Sequence, residues 1–306
     1  MPALESGNQQ RIKAIKVMSK LAKTILITGA SSGFGRDTAE TLTREGHSVF
    51  ASFRDSAGRN KSHSEALQSK GINVVELDVT NNDSVERAVS NVLSRAGRID
   101  VVINNAGIAS AGVSEAFTAE RVRDLFEVNV FGIQRVLRAV LPTLRKQRDG
   151  LVINVGSILG RVTFPFFGLY GASKYAVEAL SDSYRYELSQ LGVDVVLVQP
   201  SAYPTNMYAS AQQPDDKARG EAYGEIGAIP GKMFGTFMEI FQSKNAPNPH
   251  DVPEAIAKLV GQTKGTRPAR VVVGEPYGSD VVNRSVEPVQ AQVIEGLGLG
   301  QLAKIR

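Results

Sequence analysis

The sequence predicts an α/β fold, a doubly wound, mostly parallel seven-stranded sheet with helices on both faces, in a single domain. Three observations carry this. Seven short, apolar, β-branched runs recur along the 306 residues, each separated from the next by a stretch with helical periodicity, the alternation expected of parallel strands and crossover helices. The first run breaks into glycines and then a helical pattern. No linker or repeat divides the chain.

In order, Lys23 leads into TILITGASSGFG, a buried-type strand and a glycine loop ahead of a helix from Arg36 to Glu45. Such a unit brings backbone N–H groups and a helix N-terminus up to a pyrophosphate. Gly29, Ser31, Ser32, Gly33, Phe34 and Gly35 are therefore candidate nucleotide-loop residues. Strands follow at Ser48–Phe53, Ile72–Leu77, Val101–Asn104, Leu151–Val155, Val193–Val198 and Arg270–Val273. Helices are expected at Ser64–Lys70, Asp83–Arg95, Ala119–Arg145, from near Tyr170 to Leu191, and at Pro253–Gln262. The catalytic domain is placed at 23–274, with an insertion-like substrate lid at about 203–250 and a C-terminal extension at 275–306.

Composition excludes several classes. The chain has no cysteine, so it has no disulfide or thiolate site, and its three histidines are widely spaced, so no metal site is expected. The net charge of +4 resides in residues 1–23, which hold five of the 35 basic residues and one of the 31 acidic ones. The remainder is balanced, which argues against a nucleic-acid surface. Residues 1–22 have no apolar signal core, and no run approaches the roughly 20 residues of a membrane span. A cytoplasmic protein is expected. Residues 1–22 read as a disordered extension; Met18 directly precedes SKLAKTILITGA, so it is a candidate natural start with the first 17 residues upstream of it, the rival reading being an amphipathic membrane or targeting arm.

The chemistry centres on Ser157 to Lys174. Tyr170 and Lys174, four residues apart, share one helix face. An ammonium beside the phenol would draw its pKa down from about 10 toward the range of a general acid/base. Ser157 follows a buried strand, where its hydroxyl sits at the ligand-binding end of the sheet. A Tyr-x-x-x-Lys pair alone arises by chance in roughly one chain in two of this length; the strand, the helix start and the upstream glycine loop give it weight.

Together these motifs resemble the short-chain dehydrogenase/reductase family over roughly residues 23–274, including its 17-beta-hydroxysteroid/retinol dehydrogenase-like and carbonyl reductase members. The glycine loop is Thr28-Gly29-Ala30-Ser31-Ser32-Gly33-Phe34-Gly35, and Asn104-Asn105-Ala106-Gly107 follows the fourth strand. Asp78-Val79 matches the adenine-side Asp, Asn129 the helix asparagine, and Ser157, Tyr170 and Lys174 the serine and Tyr-x-x-x-Lys. The resemblance implies a Rossmann-type fold, a catalytic set of Asn129, Ser157, Tyr170 and Lys174, and cofactor contacts from Gly29, Ser31, Ser32, Gly33, Phe34, Gly35, Asp78, Val79, Asn105, Ala106, Gly107, Tyr170, Lys174, Pro200 and Thr205. Asn129 is expected to hold a water linking Lys174 to solvent, a role compatible with its side chain correcting a helix hydrogen bond. One departure stands out. The family's Pro-Gly-x-x-x-Thr is Pro200-Ser201-Ala202-Tyr203-Pro204-Thr205 here, and Ser201 puts the loop path in question.

NADP(H) is favoured over NAD(H). The acid that binds a ribose 2′-hydroxyl is missing at Phe53, and Arg54 follows with a fork suited to a 2′-phosphate, although Asp55 complicates this. A competing reading is a non-catalytic NADP(H)-sensing regulator, which would be free to lose the Asn-Ser-Tyr-Lys set that is complete here. Met233, Phe234, Phe237, Met238 and Phe241 form a helical stripe, either core or pocket wall. Phe164, Phe166 and Phe167 supply an aromatic wall opposite, and no Arg or Lys lies within Tyr203–Gln213. The expected substrate is a bulky, hydrophobic, mostly uncharged ketone, aldehyde or alcohol of steroid, retinoid, aryl-ketone or lipid type. Apolar positions on more than one face of Ala119–Arg145 and Tyr170–Leu191, among them Val136, Val140, Tyr184 and Tyr186, together with the resemblance, point to a homodimer or homotetramer.

Overall fold

The computed structural model describes residues 22–306; all of the expected N-terminal extension except Ala22 lies outside the described residues. The strands are β1 (Thr24–Thr28), β2 (Ser48–Phe53), β3 (Asn73–Glu76), β4 (Val101–Asn104), β5 (Gly150–Val155), β6 (Val193–Pro200) and β7 (Arg270–Val273). They form one sheet in the order β3-β2-β1-β4-β5-β6-β7, with every adjacent pair parallel. The helices are α1 (Gly33–Arg44), α2 (Lys61–Gln68), α3 (Asn82–Ala96), α4 (Ala119–Phe126), α5 (Gly132–Gln147), α6 (Gly168–Ser189), α7 (Asn206–Ala209), α8 (Lys217–Glu221), α9 (Gly224–Gly227), α10 (Ile229–Gln242), α11 (Asp251–Gly261) and α12 (Ser279–Gly296).

The strands read as continuous apolar runs because helices cover both sheet faces. Successive side chains point to opposite sides. Ile25 and Ile27 join Ala39 and Leu42 of α1 and Ile256 and Val260 of α11. Leu26 joins Val89 and Val92 of α3 and Leu137 and Leu144 of α5. Val136 and Val140 are fully buried in that second cluster. They belong to the protein's own core, so the expectation that they supply an outward apolar face is corrected. Tyr184 is half-buried, and its hydroxyl donates to Gln134 Oε1 at 2.6 Å.

Three further expectations change. The long helix expected at Ala119–Arg145 is interrupted by a π-helical segment, Glu127–Phe131, between α4 and α5. The extension at 275–306 contains α12, whose Asn283 accepts from Arg161 Nε (3.0 Å) and donates to Gln199 Oε1 (2.7 Å). The Met/Phe stripe lies on α10, where no residue is fully buried, so it is not plain core. Among the described residues, no helix is long and apolar enough to cross a membrane.

Candidate active site

From β1 the chain winds outward through β2 and β3, then resumes at β4 on β1's other side. Ligands bind beyond the carboxyl ends of the strands at such a reversal. Each loop singled out from the sequence leaves a strand at that end. A cavity of about 360 Å³ opens there, lined by Gly29, Ser31, Ser32, Gly33, Phe34, Arg54, Asp78, Val79, Asn105, Ala106, Gly107 and Thr205. Gly29 has φ +68°, and a Cβ on it would lie 2.7 Å from Ala106 Cα, so both its conformation and the close packing require glycine. Gly35 does not line the cavity. A Cβ there would collide with the Asn105 amide, which donates to Thr28 O and Gly29 O at 3.0 Å each. The loop is thereby pinned to β4.

The first turn of α1 lines the same cavity, and its cap residue Ser32 makes no side-chain capping hydrogen bond. Helix-start N–H groups left in this way suit an anion. Glycine cradle, uncapped helix start and cavity together fit the diphosphate of a dinucleotide. At the far end, Arg59 and Asn60 line the cavity beside Arg54. Asp55 does not. Its Oδ2 accepts from Arg59 N (3.1 Å), while its own N–H donates to Glu76 Oε1 (2.5 Å).

A second, tighter cavity of about 70 Å³ is lined by Ser157, Tyr170, Lys174, Pro200, Phe164, Phe167, Tyr208 and Phe237, with Phe34, Asn105 and Thr205 shared with the first. Phe166 does not line it. Its backbone has φ +67°, and its carbonyl accepts from Gly112 N. Ser157 follows β5 in extended conformation, and its Oγ accepts from Leu159 N at 3.1 Å, leaving the hydroxyl proton free to donate. Lys174 is 4% exposed and donates to Val155 O at 3.0 Å. Its Nζ lies 5.6 Å from the centre of the Tyr170 ring.

Burial pushes the Tyr170 phenol up to about 12, against an opposing hydrogen bond from Ser157, and brings Lys174 down to about 8. This corrects the expected fall in the phenol's pKa: its removal from water outweighs the Ser157 hydrogen bond, the one opposing cause. Asn129 sits in the π-helical segment, its Oδ1 accepting from Ile108 N (2.9 Å) and its Nδ2 donating to Ile108 O (2.9 Å) and Ser173 Oγ (3.1 Å). Its side chain thus ties the π-helical segment to the loop after β4 and to α6 rather than correcting a hydrogen bond of its own helix.

Ser201 is not among the residues with positive φ, and its N–H donates to Val273 O at 2.9 Å. The loop therefore does not need the glycine found in relatives. Tyr203, buried, packs edge-on against Phe34 (5.6 Å, 82°) and donates to Asp251 Oδ2 at 3.1 Å, tying this loop to the nucleotide loop and to α11. Sequence reasoning missed Arg59, Asn60 and Tyr208. The turn chemistry around Asp55 was the available signal for the first two; nothing in the pattern pointed to the third.

Fold and site define a dinucleotide-binding α/β oxidoreductase. The short chain dehydrogenase family model matches residues 23–216. Among curated relatives, the chain is 36% identical over 252 residues to a 3-ketodihydrosphingosine reductase of Bacteroides thetaiotaomicron, covering 82% of this chain and 87% of the relative. It is 35% identical over 268 residues to the mitochondrial D-beta-hydroxybutyrate dehydrogenase of Mus musculus, covering 84% and 73%. A solved short-chain dehydrogenase from Streptomyces avermitilis superposes with TM-score 0.73 at 29% identity, covering 92% of this chain and 98% of that one. The chain belongs to the short-chain dehydrogenase family. It is an enzyme that interconverts carbonyl and CH–OH groups with NAD(P).

Proposed function

We propose that this enzyme uses NADP(H) to interconvert a ketone or aldehyde and its alcohol on a bulky, hydrophobic, mostly uncharged substrate. The observation that carries the reading is the placing of the Ser157 hydroxyl, Tyr170 phenol and Lys174 ammonium in a largely apolar cavity that joins the nucleotide cavity at Asn105 and Thr205. When bound, the nicotinamide cofactor supplies or accepts the hydride. In reduction, Tyr170 gives its proton to the carbonyl oxygen, and a phenol kept protonated by burial is in the form that this step uses. Ser157 donates to the same oxygen as negative charge develops on it. Lys174 then faces the nascent phenolate and offsets its charge. Asn129 fixes the Ile108 backbone and Ser173 and so supports the proton relay around Lys174 by position.

Arg54, Arg59 and Asn60 support the NADP(H) assignment, since they line the same part of the cavity while Asp55 does not line it, although its carboxylate lies 3.5 Å from Arg59 Nε. Phe164, Phe167 and Phe237 support the hydrophobic substrate, as does similarity to a reductase of the lipid ketone 3-ketodihydrosphingosine. A homodimer or homotetramer in the cytoplasm completes the reading, supported by exposed Phe131 and Tyr175 on the α5 and α6 side. The test is NADPH oxidation by purified protein over a panel of ketones, with Tyr170→Phe as comparison. Loss of turnover by about a hundredfold or more is expected for the variant. Near-normal turnover with cofactor binding intact would overturn the assignment.

A further inference from the structure

The substrate cavity holds one phenol that the proposed chemistry leaves unused. Tyr208, on the short helix α7, lines the cavity with Tyr170. Its ring packs against Phe237 (6.1 Å) and Phe241 (5.2 Å) of the lid helix. Tyrosine hydroxyls that leave bulk water ordinarily find a partner. Two here do: Tyr184 donates to Gln134 and Tyr203 to Asp251. The Tyr208 hydroxyl has none among the described residues, and it is not among the fully buried unpaired atoms, so it opens onto the cavity. Burial holds it protonated, and its neighbouring titratable groups are the phenols of Tyr170 and Tyr277. Its ring partners are aromatic, and the sole charged side chain lining the cavity is Lys174.

We infer that Tyr208 is a specificity-determining residue whose hydroxyl binds a neutral oxygen on the α- or β-carbon beside the reacting carbonyl of an otherwise apolar substrate. On this inference the carbonyl sits at Ser157 and Tyr170, and the Tyr208 phenol, which lines the same small cavity, falls beside the carbon atoms next to it. The apolar remainder runs along Phe164, Phe167 and Phe237. A hydroxyl or second carbonyl suits the site, since a phenol both donates and accepts. A cationic amine does not, because no carboxylate lines the cavity to receive it and Lys174 repels it. This inference rests on the proposed function and narrows its substrate from any large ketone to an amphipathic one.

The test uses two probes, ethyl nonyl ketone and hydroxyethyl nonyl ketone, its counterpart with a hydroxyl on the β-carbon. The readout is the ratio of their kcat/KM values with NADPH, measured for wild type, Tyr208→Phe and Phe237→Ala. Wild type should prefer the hydroxy ketone, and Tyr208→Phe, which keeps the aromatic packing, should cut that preference by about tenfold, the scale of one hydrogen bond. Phe237→Ala removes apolar wall shared by both chains and one packing partner of the Tyr208 ring, so it should lower both kcat/KM values and cut the ratio by less than Tyr208→Phe does. An identical ratio in wild type and Tyr208→Phe would overturn the inference while leaving the proposed reaction in place. If wild type oxidises NADPH with neither ketone, the proposed function fails and the inference falls with it.

Discussion

Lys174→Met should separate stability from catalysis. The lysine is 4% exposed and makes one hydrogen bond, to Val155 O. Burial lowers its pKa from 10.5 to about 8, which makes the charged side chain about 3 kcal/mol less favourable in the folded protein than in the unfolded chain. Methionine has a similar length and no charge to desolvate. Its introduction gives up the bond to Val155 O, about 1 kcal/mol, and the contact with the Tyr170 ring, about 0.5 kcal/mol. At pH 7 the variant should therefore unfold with about 1–2 kcal/mol more difficulty than wild type, and have lost its activity. The pH dependence has a definite sign. Because the folded pKa lies below the unfolded one, the unfolded chain binds more protons between about pH 8 and 10.5, and wild-type stability rises across that window. The variant's advantage should shrink there. Urea denaturation of both proteins at pH 7 and pH 10 measures it; a variant clearly less stable at pH 7, or an advantage independent of pH, would refute the reasoning.

Two other outcomes are expected. Wild type should favour NADPH over NADH in kcat/KM, and Arg54→Ala combined with Arg59→Ala should lower the NADPH value by about tenfold or more while affecting NADH less; a wild-type preference for NADH would refute the cofactor assignment. Glu178, 3% exposed, pairs with Arg161 Nη2 (3.0 Å) and Arg270 Nε (2.8 Å), so Glu178→Ala should cost about 2 kcal/mol in urea denaturation, less than a buried cation left without any partner, because Asp182 still pairs with Arg270. A loss under about 1 kcal/mol would show the pairs to be screened by water.

The sheet was legible because burial on both faces makes the central strands predominantly apolar, while the edge strands β3 and β7 keep a short apolar run between polar or less buried residues. The bounds read for β2, β4 and β7 coincide with those observed. The π-helical segment at Asn129 was hidden, since the helical pattern runs through it and the interruption depends on hydrogen bonds to Ile108. Helix α12 was missed for a related reason. It buries only Ser279 and Ile294 and contains Pro288, so it shows neither a regular apolar stripe nor an uninterrupted helix-forming run. The spacing of Tyr170 and Lys174 fixed their shared face but not the sign of the phenol's shift, which depends on how far both groups are withdrawn from water.

The β2–α2 turn shows the same limit on cofactor choice, where a single acid next to Arg54 left the sequence reading divided. Whether Asp55 repels a phosphate depends on where its carboxylate points, and that is decided across the sheet. Glu76, at the end of β3, accepts from Asp55 N (2.5 Å) and Ser56 N (2.7 Å), and Asp55 takes the left-handed conformation, φ 55°. Burial opposes ionisation of Glu76, but the hydrogen bonds from Ser56 and Asp55 prevail and hold its carboxyl below the ordinary value. With the turn held this way, the Asp55 carboxylate closes back on Arg59 N (3.1 Å), and Asn60 Nδ2 donates to Arg54 O (2.7 Å). An acid adjacent in sequence to Arg54 thus becomes part of the scaffold of the turn, hydrogen-bonded to the Arg59 backbone and 3.5 Å from its guanidinium.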